Sequence, residues 1–341
     1  MTMKRANFWS SLPLPVRGLL VGLPCALLTV VSCQNSGTDH EAPTDTPTSG
    51  TVAVSIDETF APILESQIDT FQKLYTNAHI NATYQPEEKV MLDLLNDKVK
   101  VVVVSRPLNK DEEAELKKQE MLPSTDKVAI DGLAIILHPS NPDSLLTMTQ
   151  LRDIFGGKTT EWSQVSGKKA LGAVNVVFDN NRSSTSRFMR DSLLRGAALA
   201  PKAFASESNP ALLEYVATHT NAIGVVGVNW ISDRDDPVVM KYLSKVHVAR
   251  ITARPNPTPG DYIQPDQVYL AEKTPAMLAQ YSQLQNYPLR RHLYVISREA
   301  RTGLGTGFRA FVVGKKGQLI FQKSGLMPAH MQARIVTTNK Q

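Results

Sequence analysis

Three short segments place hydrogen-bond donors suited to a small oxyanion immediately after a predicted strand. In the first, Ser55-Ile56-Asp57-Glu58-Thr59-Phe60-Ala61-Pro62, Thr59 is suited to cap a helix. Pro62 falls in the first turn, where a missing N–H costs nothing. The Thr59 hydroxyl and the free amides of that turn form one donor cluster. The second segment runs from Asp179 through Asn180, Asn181 and Arg182 to Ser183, Ser184 and Thr185, then Ser186, Arg187 and Phe188. Three successive hydroxyls at a helix start stand beside unpaired backbone amides, and the helix dipole adds partial positive charge there. Arg182 and Arg187 flank them and could add charge-assisted bonds to an oxyanion. The third segment is Ser105-Arg106-Pro107. Taken alone, each hydroxyl cluster reads as a helix cap, and each arginine as a surface ion pair. Their recurrence after strands sets them apart, because ligands of open α/β sheets bind beyond the carboxyl ends of the strands.

The elements that must position these loops alternate. Residues 51–55, 80–84, 99–104 and 127–137 read as strands. Between them, residues 60–74 carry apolar side chains at 60, 63, 64, 68, 71 and 74, a helical stripe, and 90–95 and 110–120 read as helices. The apolar run Val101-Val102-Val103-Val104 fits a parallel strand covered on both faces. A second set follows, with strands at 174–178 and 222–226 and helices at 146–155, 184–194 and 211–219. Residues 254–265 are proline-rich and read as a linker or exposed loop. Beyond them come helices at 275–283, 305–313 and 316–324 and a strand at 289–296. The alternation predicts open, mostly parallel sheets with helices on both faces, arranged as two lobes.

The remaining sequence narrows the chemistry. The seven histidines show no HxxxH or HExxH spacing, so no zinc site is expected, and neither a nucleophile elbow nor a P-loop occurs. No cofactor and no enzymatic activity are expected. The formal charge is +5. Lys4, Arg5 and Arg17 precede Cys33 and no acid does, so the body is nearly balanced and nucleic acid is not an expected partner. The basic start, the apolar stretch from Gly18 to Val31 and Ser32 describe a secretory signal over 1–32. Cys33 after Val30-Val31-Ser32 resembles a lipobox, which makes its thiol the lipidation site. The other reading is an ordinary cleaved signal with a free thiol. Residues 33–50 are polar and rich in Ser, Thr and Pro, and read as a flexible tether. The body is expected as lobe 1 over 51–137 plus 262–341 and lobe 2 over 138–261. The whole is a monomer held at a membrane by its N-terminal lipid, in the periplasm or at the cell surface.

Several stretches, in order, resemble the phosphate-binding proteins of bacterial phosphate ABC transporters. They are Thr59-Phe60-Ala61-Pro62, Ser105-Arg106-Pro107-Leu108, and Asp131-Gly132-Leu133-Ala134 with Asn141-Pro142. Further along come Ile154-Phe155-Gly156-Gly157-Lys158 with Glu161-Trp162, and Ser183-Ser184-Thr185. Asn221 to Gly227 and Gly317-Gln318 through Ala329 complete the series. The resemblance implies a type II periplasmic-binding-protein fold, two lobes joined by hinge strands and closing on one dehydrated phosphate, with an ABC importer as partner. The alternatives are a binder of another oxyanion such as sulfate, a phosphate-sensing lipoprotein, or a phosphate-ester hydrolase. It implies Thr59 and Phe60 as donors from one lobe and Ser183, Ser184 and Thr185 from the other. Two departures stand out. The family often has arginine four residues before its Ser-Gly-Thr, where this chain has Asp179, and aspartate in the second loop, where this chain has Arg106. On that footing Arg106, with Arg182 or Arg187, balances the anion, and Asp179 or Glu58 accepts the phosphate proton.

Overall fold

The structure, a computed structural model, describes residues 45–331 apart from 168–170, 234, 236, 274 and 281–284. The expected signal segment, Cys33 and the tether up to residue 44 lie outside the described residues.

Strand β1 (Gly50–Asp57) pairs in parallel with β2 (Ala78–Gln85) on one side and β3 (Val101–Val104) on the other. After β1 the chain makes a 3-10 turn, Glu58–Phe60, and enters the helix Ala61–Leu74. Ile63, Leu64, Ile68 and Phe71 of this helix are buried, as the apolar spacing predicts. The side chains of β3 divide between two cores. Val101 and Val103 pack with the Ala61–Leu74 helix, while Val102 and Val104 pack with Val90, Met91 and Leu94 of the helix Glu87–Leu95. Burial on both faces is the physical reason that run lacks polar alternation. The charged helix Lys110–Lys118 buries only Leu116 and begins in an Asn109–Glu112 capping box.

The longest strand, β4 (Ser124–Leu137), belongs to both halves of the molecule. Up to Gly132 it pairs antiparallel with β11 (Arg290–Ser297), and from Leu133 onward with β8 (Ala222–Gly227). Beyond β8 lie β6 (Asn175–Phe178) and β7 (Phe204–Ala205), all three parallel. The sheet order is β2-β1-β3-β11-β4-β8-β6-β7, with β9 (His247–Val248) and β12 (Met327–Pro328) added to β4. The parallel alternation holds within each half. The strands that join the halves, β4 and β11, are antiparallel to their neighbours.

Local readings change in two places. The helix expected over 146–155 starts later. Leu145–Thr147 forms β5, which pairs with β10 (Arg250–Thr252), and the helix Met148–Phe155 follows from a Thr147–Gln150 capping box. The helix expected over 184–194 is α-helical only over Ser184–Phe188 and then widens to a π-helical turn, Met189–Leu193. Trp162 is fully buried and its indole N–H donates to the Asn221 carbonyl at 2.9 Å, so it is a packing residue.

Candidate functional site

Asp57 is the last residue of β1 and has no exposed surface. Its carboxylate accepts the Thr59 N–H at 3.1 Å and thereby caps the turn that begins the helix. Thr59 is equally buried. Its carbonyl accepts from Asn229 Nδ2 at 3.0 Å and from Trp230 Nε1 at 2.8 Å, both from the turn after β8. The first loop is therefore tied to the other half of the sheet. Gly227, the last residue of β8, permits this closeness. A Cβ there would stand 2.8 Å from Asn229 Nδ2, 3.2 Å from Thr59 Cγ2 and 3.3 Å from an Arg291 terminal nitrogen.

The second loop arrives from β6. Ser183 is the N-cap of the short helix, accepting from Ser186 N–H at 3.1 Å and donating to Asp179 Oδ1 at 2.6 Å. Its hydroxyl is thus spent on local structure, the capping role that any such serine can play. Ser184 points the other way, with Oγ 3.3 Å from Thr59 Oγ1. Arg291 Nη1 donates to the same oxygen at 2.9 Å. Thr185 is fully buried, and its hydroxyl has no partner among the described residues. Two loops 125 positions apart in sequence therefore meet through Thr59 and Ser184, with an arginine on top of the contact.

Arg291 comes from β11 and is 2% exposed at its side chain. Its Nε donates to Asp131 Oδ2 at 3.0 Å, and its guanidinium lies 4.7 Å from the centre of the Phe60 ring. Around it the polar groups outnumber their partners. Asp57 Oδ2, Asp131 Oδ1, Thr185 Oγ1 and Asn229 Oδ1 are buried without a well-aligned hydrogen bond among the described residues, while Arg291 Nη2 faces Asp131 Oδ2 at 3.0 Å. Buried polar groups in folded proteins are nearly always bonded, so such a concentration asks for a polar ligand. Burial, reinforced by the nearby Glu87 carboxylate, pushes the Asp57 carboxyl up to about 7, against the opposing pull of Arg291, Ser184 and the Thr59 amide. Burial and the adjacent Asp179 raise Glu58 to about 7 as well. Asp179 is raised by burial and is held by Ser183 Oγ and the Asn180 N–H, the latter at 2.8 Å.

The basic residues expected at the site divide. Arg187 donates to Glu87 Oε2 at 2.6 Å and to Ser105 Oγ at 2.8 Å, and Ser105 donates through N–H and Oγ to Glu87 Oε1. Burial alone would raise the Glu87 carboxyl, but Arg187 and the Ser105 bonds hold it below the usual range. This triad bridges the two halves beside the Thr59–Ser184 contact. Arg106 is not brought to that contact. Its two terminal nitrogens bind both Glu112 oxygens at 2.7 Å, fastening the start of the Lys110–Lys118 helix. Arg182 is exposed.

Thr59, Phe60 and Ser184 thus meet at Arg291, Glu58 lies close to Asp179, and Ser105 and Arg187 meet at Glu87, while Thr185 is buried next to Ser184 in the chain. Sequence reasoning missed Asp57, Asp131, Arg291 and Asn229. A signal for Arg291 was present. Residues 291, 293 and 295 share one face of a strand, and Leu293 and Val295 are core residues, so Arg291 has to point inward. Asp57 stands at a strand end inside a loop already marked by its donors. Nothing local distinguishes Asn229.

Two half-sheets sharing one long strand, with a buried polar cluster at the strand ends between them, define the type II periplasmic-binding-protein fold. A Clostridium perfringens protein described as a phosphate ABC transporter substrate-binding protein, solved with bound phosphate, superposes with a TM-score of 0.63 at 20% identity, over 82% of this chain and 100% of its own. A high-affinity periplasmic phosphate-binding protein, PfluDING, superposes with a TM-score of 0.59 at 14% identity, over 82% of this chain and 90% of its own. The model of a PBP superfamily domain matches residues 41–316, and the chain belongs to that family. Among curated relatives, the phosphate-binding protein PstS of Staphylococcus epidermidis is 24% identical over 52% of this chain and 54% of its own length. The chain spans about half the length of the curated relatives it matches. Among the described residues no helix is long and apolar enough to cross a membrane, and no group of His, Cys, Asp and Glu could hold a metal ion.

Proposed function

We propose that this protein captures inorganic phosphate outside the cytoplasm and delivers it to an ABC importer, without turning it over. The observation that carries the reading is the meeting of Thr59, Ser184 and Arg291 from two halves of the sheet, ringed by buried polar atoms that lack partners. A tetrahedral anion between the two loops would accept from the Thr59, Ser184 and Thr185 hydroxyls and from the Arg291 guanidinium. Ser183 would contribute through the helix start it caps. Arg291 replaces the arginine that the family carries before its Ser-Gly-Thr, and takes the counter-ion role expected of Arg106.

The proton acceptor in this reading is Asp57, with Asp179 holding its own loop. Phosphate near neutral pH still carries a proton and sulfate does not. A buried carboxylate that titrates near 7 can share one proton with phosphate, whereas an ionised Asp57 repels a bare dianion. The two lobes would divide where β4 changes partner after Gly132, and ligand would favour the closed arrangement. The protein would act as a monomer tethered at Cys33.

Titration calorimetry at pH 7.5 tests the assignment. The expected result is one phosphate bound per chain, with sulfate at a hundredfold excess displacing little of it. Absence of phosphate binding, or equal affinity for sulfate, would overturn it. Incubation with a chromogenic phosphate ester is expected to release no product.

A further inference from the structure

Strand β1 divides its side chains between two faces. Val54 and Ile56 pack with the Ala61–Leu74 helix, so Ser55 and Asp57 leave the opposite face, the one that the helix Glu87–Leu95 covers. Ser55 shows that direction. Its hydroxyl accepts from Gln85 Nε2 at 2.6 Å, and the same nitrogen donates to Asp93 of that helix. Asp57 stands opposite Gln85 in the pairing of β1 with β2, and Glu87 follows Gln85 by two residues as the first residue of the helix. Two buried carboxyls therefore share the end of one sheet face.

Their surroundings differ. Ser105 donates its N–H to Glu87 Oε1 at 2.8 Å and its hydroxyl to the same oxygen at 2.7 Å, while Arg187 Nε donates to Oε2 at 2.6 Å. The amino end of its own helix adds partial positive charge. Arg106 and Glu112 also feel Glu87, and they bind each other. Burial would raise the Glu87 carboxyl, yet Arg187 and Ser105 hold it below the usual range. Asp57 has less to stabilise a charge. The Thr59 N–H and the Ser184 hydroxyl face it, and Arg291 attracts it while also bound to Asp131. Its Oδ2 has no well-aligned partner among the described residues. Glu58, next in the chain, faces Asp179. Burial first, and the Glu87 charge second, push the Asp57 carboxyl up to about 7. Of the two acids, Glu87 keeps the charge and Asp57 keeps the proton.

We propose that Glu87 is a positioning residue for anion choice: without touching the ligand, its fixed charge beside Asp57 sets the pH at which the site turns from excluding sulfate to admitting it. The proposal rests on the phosphate reading and on Asp57 as the group that shares the ligand's proton. Ionised, Asp57 repels a bare dianion; protonated, it can donate to one. The Glu87 charge keeps Asp57 protonated to higher pH. Its removal lets Asp57 ionise sooner and shuts sulfate out over a wider range.

Calorimetric titration with phosphate and with sulfate, at pH values on both sides of 7, tests it on the unmodified chain, Glu87→Gln and Glu87→Asp. The unmodified chain is expected to admit sulfate as pH falls below about 7. In Glu87→Gln that threshold is expected about one pH unit lower, the effect of losing one neighbouring like charge. Glu87→Asp keeps the charge and is expected to keep the threshold. A weakened bridge to Arg187 would by itself lower the affinity for both anions alike and leave the threshold in place. An unchanged threshold in Glu87→Gln overturns the proposal, as does an equal shift in Glu87→Asp. Loss of phosphate binding by Glu87→Gln also overturns it, because Glu87 is then structural. Sulfate competition that ignores pH in the unmodified chain removes the proposal together with the role of Asp57, while phosphate binding stands. Failure of the unmodified chain to bind phosphate sinks the phosphate reading itself.

Discussion

In the proposed phosphate site, selectivity rests on single atoms. Thr185 Oγ1 is buried and unpartnered, so replacing it with the near-isosteric Val removes no bond from the folded chain. Thr185→Val is expected to keep or raise stability by up to about 1 kcal/mol. The same change is expected to weaken phosphate about tenfold or more, the worth of one hydrogen bond to a charged group. Thermal melts and calorimetry on one preparation read both, and a loss of stability without loss of affinity would make Thr185 structural. Asp57 gives a second prediction, with the sign fixed by its raised carboxyl. The folded protein holds that proton up to about pH 7, whereas an unfolded aspartate releases it near 3.8. The proton's contribution to stability is thus fully present below about pH 4 and is lost as pH rises through 7. Asp57→Asn should raise the melting temperature at pH 8, with the gain shrinking toward pH 4. It should also let sulfate compete at pH 8, whereas the unmodified protein admits sulfate only as pH falls below about 7. Sulfate exclusion unchanged in the variant would move the acceptor role elsewhere.

The elements act by holding these atoms in register. The helix start that presents Ser184 and Thr185 is pinned to the other half of the molecule by Arg187, which grips Glu87 and Ser105. Arg187→Met leaves the Glu87 carboxylate, 3% exposed, without its counter-ion. The expected cost is on the order of 2–3 kcal/mol, below the value for a fully buried pair because Arg187 itself is 26% exposed. Phosphate affinity should fall with it and preference over sulfate should persist, because Asp57 and Arg291 are untouched. A loss of preference in titrations of this variant would show that Arg187 touches the anion. Trp230 offers a direct readout at this scale. Its indole N–H donates to the Thr59 carbonyl, so its fluorescence should change when phosphate is added. An unchanged spectrum at saturating phosphate would mean that the first loop does not move.

Across the whole molecule, β4 and β11 are the strands through which the proposed site would act on both halves. Arg291 sits on β11 and Asp131 on β4, one residue before β4 exchanges one partner strand for the other. An anion that draws Arg291 acts directly on the strands between the lobes. Small-angle scattering should therefore show a smaller radius of gyration with phosphate than without, and an identical radius would remove hinge closure from the account. The proposed lipid anchor at Cys33 makes a separate prediction. Cys33→Ala should move the protein from the detergent phase to the aqueous phase on phase separation of whole-cell extracts, while purified protein binds phosphate as before. Retention in the detergent phase would dismiss Cys33 as the anchor.

The sequence alone determined whatever depends on neighbours along the chain. Residues 60–74 show their helical stripe, the valine run at 101–104 its two-sided burial, and Ser183-Ser184 their helix start, because period, capping and propensity act over a few residues, whereas the capping expected of Thr59 falls to Asp57. The resemblance to phosphate-binding proteins added the order of the loops. Tertiary structure decided the partnerships. Ser183 became a cap and Ser184 a site residue because Asp179 lies within reach of one and Arg291 of the other. Arg106 turned to Glu112, and the arginine that reaches Ser184 came from a strand more than a hundred residues later in the chain. Charge pairs are settled by distance in space and by the loss of water around them. Neither quantity is written in sequence spacing.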